Sequence, residues 1–73
     1  MTLGNATLDL TYIVVSLELE LVTMRRLEAL GLTRGTKIKL LNRNRSGSVI
    51  IMVRGTRLAL GKKIAESIQM REA

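Results

Sequence analysis

Six side chains in this sequence have the chemistry of general acids, general bases or hard-metal ligands: Asp9, Glu18, Glu20, Glu28, Glu66 and Glu72. There is no His and no Cys. The histidine-dependent nucleophilic triads therefore have no base, and zinc sites built from imidazole or thiolate have no ligands. Glu18 and Glu20 are the closest carboxylate pair along the chain and, together, have the oxygens that a hard cation takes. An acidic link ahead of a helix accounts for the same two residues, because carboxylates are favoured at the positive end of the helix dipole. No Gly-x-x-x-x-Gly-Lys-Ser/Thr run is present, so a nucleotide finds no P-loop cradle. The expectation is a non-enzyme with no catalytic, cofactor-binding or metal-ligating residues.

Charge is the other chemistry on offer. Lys and Arg outnumber Asp and Glu by 12 to 6, a formal net charge of +6, which draws polyanions, acidic protein surfaces or anionic lipid through the long-range field. The basic stretch Arg43–Arg45, inside the turn-rich run 42–47, has the residues of a phosphate-contacting hairpin tip. A single-strand-binding barrel also needs aromatic platforms for its bases, and Tyr12 is the one aromatic, set inside an apolar strand. Nucleic acid is accordingly disfavoured, and a solvated loop explains the charge as well. An aromatic-lined polyproline groove is disfavoured for the same reason. Lys37 and Lys39 carry the same ambiguity between ligand contact and solubility, as do Arg25 and Arg26, which suit an acidic partner.

These groups must be positioned by short elements. The stretch from Glu20 to Thr36 reads as one helix stopped by Gly31, then a turn at Gly35 that launches a strand. Met24, Leu27 and Leu30 share one helix face at spacings of three, which predicts a core stripe and makes the helix a plug for a small barrel. Arg25 and Glu28 lie within reach at i, i+3. Gly31 suits a left-handed C′ position, with Leu32 folding back onto the helix. Tyr12–Leu17 is β-branched and apolar, a strand. Thr36–Leu40 alternates, Ile38 and Leu40 inward and the lysines outward, and Leu41 breaks the alternation as a bulge would. Ser48–Arg54 is apolar on both faces, so it is covered on both sides or has one adhesive side. Gly55-Thr56 reads as a turn, 57–60 as a fourth strand, 61–66 as a helical turn and 67–71 as a closing strand. In the amino-terminal segment, Leu3, Leu8 and Leu10 are the expected anchors. Five short strands with one inserted helix after the first and a helical turn before the last point to a mainly β, small barrel.

A chain of 73 residues has the size of one domain with a small, aliphatic core. The absence of Cys accords with a reducing compartment. The first ten residues lack the basic and apolar regions of a signal peptide, and the longest apolar stretch, Val49 to Val53, is far short of a membrane span. No direct membrane insertion is expected.

The order and spacing of R-x-L-x-x-L-G-L-x-x-G at 25–35, V-R-G-T-R-L-A-L at 53–60 and I-A-x-x-I at 64–68 resemble the ferrous iron transport protein A family. The likeness runs from about Arg25 to Met70. It implies an SH3-like β-barrel, a cytoplasmic protein recruited to the inner face of the membrane, and a non-enzymatic, regulatory role beside the ferrous iron permease with a G domain, ferrous iron transport protein B. No family metal ligand transfers to this chain. It departs from the family pattern in its basic 42–47 loop, in Gly61 after L-A-L, and before Tyr12. The partner-binding residues implied are Arg25, Arg26, Leu30, Gly31 and Leu32 at the helix and its exit, and Arg54, Gly55, Thr56 and Arg57 at the turn. The alternatives are a basic nucleic-acid-binding barrel and a self-assembling module that uses the doubly apolar strand, so a homo-oligomer is also open.

Overall fold

The computed structural model describes all residues, 1–73. A 3-10 turn at Leu3–Asn5 precedes β1 (Thr11–Leu17), α1 (Leu21–Ala29), β2 (Lys37–Arg43), β3 (Val49–Val53), β4 (Thr56–Leu60), α2 (Lys62–Glu66) and β5 (Ile68–Glu72). The five strands make one antiparallel sheet in the order β4-β3-β2-β1-β5. This is the SH3-like, mainly β architecture expected, with a helix after the first strand and a helical turn before the last. The sheet curls without closing: β4 and β5 are its two ends and do not pair with each other.

The period-two pattern decides which side chains are inside. Ile38 and Leu40 of β2, Val49, Ile51 and Val53 of β3, and Tyr12 and Val14 of β1 are all buried. Each aliphatic side chain so removed from water contributes about 1.5–3 kcal/mol. Tyr12 keeps its hydroxyl satisfied by accepting the Thr7 N–H at 2.8 Å. Register shifts between Leu40 and Asn42 and between Val14 and Ser16 put Leu41 and Val15 at bulges. The first is where the broken alternation places it.

The core is sealed differently from the expectation. Of the stripe Met24, Leu27 and Leu30, only Leu27 is buried; Met24 is half-buried and Leu30 is 55% exposed. The helix ends at Ala29, so Leu30 leaves helical geometry before it can turn inward, and Leu32 takes the inner place instead. Helix α1 is thus tethered to the core near its end and is not the plug. That part is played by the 3-10 turn against α2, where Leu3 and Ala65 are fully buried and a Cβ on Gly4 would come within 3.1 Å of Glu66 Cγ.

Leu8 and Leu10 are 41% and 43% exposed, so of the expected amino-terminal anchors only Leu3 holds. Backbone bonds do the work at 8–10: the Asp9 N–H donates to Leu40 O at 2.7 Å and the Leu40 N–H to Leu10 O at 3.3 Å. Arg43 folds inward and its Nη2 donates to the carbonyls of Leu3 and Ala6. One of the two arginines of the supposed basic loop is therefore a clamp on the amino-terminal turn.

Leu32→Ala should lower the free energy of unfolding by about 2–5 kcal/mol, whereas Leu30→Ala should change it by no more than about 0.5 kcal/mol. Urea titrations of the two variants check the contrast.

Candidate partner-docking site

The exit of α1 is a Schellman closure. The Gly31 N–H donates to Glu28 O and the Leu32 N–H to Leu27 O, both at 2.9 Å. Gly31 has φ +94°, a region that side chains with a Cβ resist. That turn of the backbone sends Leu30 outward and Leu32 inward. The segment beyond is stitched down: Thr36 Oγ1 donates to Gly31 O at 3.3 Å and lies 2.8 Å from Thr33 Oγ1, and the Gly35 N–H donates to Val14 O at 2.8 Å.

The β3–β4 hairpin turns on Arg54 and Gly55, one residue earlier than the sequence pattern suggests. Both have positive φ, 51° and 78°, and Val53 pairs with Thr56 across them. This is a two-residue turn of the kind that matches strand twist. It puts a non-glycine residue in the left-handed region and aims its side chain at the helix exit. A Cβ on Gly31 would lie 2.7 Å from Arg54 Cδ and 3.1 Å from its Nε. The two stretches singled out in the sequence, 23 residues apart from Gly31 to Arg54, therefore meet.

Around this junction the outward face of α1 is both apolar and basic. Leu21, Val22 and Leu30 are 56%, 63% and 55% exposed, and Arg25 and Arg26 are exposed between them. Val22 and Arg26, four apart, share one side of α1, and Leu30, the residue that caps the helix, comes four further on. Leu21 and Val22 were absent from the expected contact set; the spacing of four counted back from Leu30 reaches Val22, and Leu21 falls outside it. Gly55, Thr56 and Arg57 are exposed on the hairpin beyond Arg54. Leu32, expected among the contact residues, is fully buried and holds the exit in place instead of meeting a partner.

The remaining candidates are spread over the surface. Glu18 accepts from Gln69 Nε2 at 3.0 Å and Glu20 from Thr23 Oγ1 at 3.1 Å, so the acidic pair serves local structure. No group of three or more His, Cys, Asp or Glu is gathered where it could hold a metal ion. The expected Arg25–Glu28 pair is not among the side-chain hydrogen bonds, and the carboxylates that accept one are Glu18 and Glu20. Tyr12 is buried and presents no stacking surface. On β3, Ile50 is 38% exposed and Met52 half-buried, while Val49, Ile51 and Val53 are covered. One of its two apolar faces is thus partly open. No helix is long and apolar enough to cross a membrane.

Fold and surface together define a small SH3-like domain whose exposed chemistry is cationic and aliphatic. The FeoA domain family matches residues 1–72, nearly the whole sequence, and the chain belongs to that family. It is 38% identical over 50 residues to the putative Fe(2+) transport protein A of Methanocaldococcus jannaschii, a match covering 68% of this chain and 60% of that protein. The FeoA protein of Chlorobium tepidum, solved by NMR, superposes with a TM-score of 0.90 at 30% identity, over 99% of this chain and 70% of that one. A crystal structure of an iron uptake regulatory protein (FeoA) superposes with a TM-score of 0.86 at 32% identity, over 100% of this chain and 96% of that one.

Gly31→Ala should destabilise the fold by about 1–2 kcal/mol from backbone strain alone, plus the clash with Arg54. In a double-mutant cycle with Arg54→Ala the clash disappears while the strain remains, so the two effects should be non-additive. Additivity would mean the side chains do not meet.

Proposed function

We propose that this protein is a non-enzymatic accessory factor of ferrous iron uptake, acting in the cytoplasm and recruited to the inner face of the membrane. It docks on the cytoplasmic part of the ferrous iron permease that carries a G domain, ferrous iron transport protein B. The contact surface is the outward face of α1 with Leu21, Val22, Arg25, Arg26 and Leu30, continued by Arg54, Gly55, Thr56 and Arg57. The permease residues opposite are a hydrophobic strip bordered by carboxylates. Docking biases the assembly or nucleotide cycle of the permease and leaves the transported ion untouched.

The observation that carries this reading is three large aliphatic side chains more than half exposed, Leu21 and Val22 on α1 and Leu30 at its C-cap, beside two free arginine side chains. Exposed apolar patches rimmed by charge are the usual mark of an interaction site. The names of the similar proteins, an Fe(2+) transport protein A and an iron uptake regulatory protein, direct the choice of partner. The partly open side of β3 keeps self-association as the second reading.

Retention of the chain on detergent-solubilised permease at near-physiological salt is the test. Leu30→Glu and Arg26→Glu should each abolish retention while leaving thermal stability within about 0.5 kcal/mol of the parent, since both side chains are exposed. Unchanged retention by both variants would remove α1 as the docking face.

A further inference from the structure

The two ends of the sheet are not equivalent. At the β5 end the amino terminus covers the edge: the Met70 N–H donates to Met1 O at 2.7 Å and Thr2 bridges Gln69. At the other end β4 pairs with β3 alone. The two-residue hairpin fixes the phase of that pairing. Val53 with Thr56, Ile51 with Leu58 and Val49 with Leu60 are the pairs that exchange bonds, which leaves the N–H and C=O of Arg57 and Ala59 pointing away from the sheet. None of the turn, loop and cap bonds uses these four groups.

The side chains at this edge are graded. Leu60 is buried and Leu58 half-buried on the inner face, while Arg57 and Ala59 stand exposed on the outer face. Ala59 is small, and beside it lies a hollow of about 140 Å³ lined by Asn42, Asn44, Ser48, Val49, Ile50 and Ala59. A strand laid along β4 places every second side chain on this face, and one set opposite Ala59 reaches the hollow.

Charge identifies the occupant. Residues 29–65, which contain β2, β3 and β4, hold nine of the twelve Lys and Arg and none of the six Asp and Glu. Arg57 lies on the edge itself, with Arg54 before it and Lys62 and Lys63 after it. Two copies paired β4 to β4 would bring these clusters together, and basic residues on an edge are a known device against self-pairing. An acidic strand meets the opposite situation.

We infer that β4 is a docking edge for an extended, acidic segment of a partner protein, added as a sixth, antiparallel strand. An apolar side chain of that segment sits against Ala59 in the hollow, and a carboxylate two residues later faces Arg57. Main-chain bonds to Arg57 and Ala59 supply affinity, and the two side-chain positions supply selectivity. The assignment does not rest on the permease reading and uses a different surface from α1, although the Arg54–Arg57 turn borders both.

The test is a titration of the isotope-labelled full chain with the blocked acidic peptide EEVTVEDE, followed by amide shifts and hydrogen exchange. Binding should shift residues 56–60 and slow exchange at Arg57 and Ala59. N-methylation of the peptide amides that face β4 should weaken it by at least about tenfold, as should Ala59→Pro. That substitution deletes a donor the sheet does not use, the one placement where an edge strand accepts proline. Arg57→Glu should also weaken binding, and raised salt should weaken it several-fold. Three results overturn the inference: no binding up to millimolar peptide, binding indifferent to both N-methylation and Ala59→Pro, or shifts at β4 on concentrating the chain alone. The first removes the site, the second reduces it to nonspecific charge attraction, and the third gives the edge to a second copy.

Discussion

The left-handed turn at Gly31 is the constraint on which the rest of the surface depends. Two backbone bonds, from Gly31 to Glu28 and from Leu32 to Leu27, end α1 and reverse the chain within a single residue. The reversal buries Leu32 against the sheet, expels Leu30 into solvent, and leaves a shallow place where only hydrogen stands on Cα. Arg54 lies across that place. A Cβ at 31 would press on Arg54 Cδ and Nε, so Arg54 would have to lie elsewhere, and a side chain there would resist the φ of +94°.

The strands were legible because their burial follows directly from alternation. Ile38 and Leu40 inside with Lys37 and Lys39 outside, and a bulge at Leu41, need nothing but local pattern. The glycine stop of the helix was legible for the same reason: Gly31 and Leu32 stand where a Schellman closure requires them. The helix face was misread because helical spacing carries no information about where the helix ends, and Leu30 falls one residue beyond the end. The amino-terminal segment was illegible for a different reason. Its ties are backbone bonds to β2 and an arginine 37 to 40 residues away in sequence, and neither leaves a trace in local periodicity. As for the candidate site, Arg25, Arg26 and Leu30 were readable as exposed or near the exit, whereas the Gly31–Arg54 contact is tertiary and appears in no spacing.

Charge is distributed as unevenly as the apolar surface. The acid-free span from 29 to 65 gives one half of the sheet a uniform sign, while the carboxylates lie on the amino-terminal part, α1, α2 and β5. A field of this shape orients an approaching acidic surface before any contact forms and raises the association rate more than the final affinity. In the proposed docking the aliphatic side chains of α1 would set the residence time, because apolar burial acts after encounter.

Hydrogen–deuterium exchange on the chain mixed with the proposed permease partner, compared with the chain alone, tests this account most directly. Slowed exchange over 21–32 and 53–57, with 1–10 and 66–73 unchanged, is the predicted result. Protection absent from 21–32, or centred on the amino-terminal turn and β5, would contradict it.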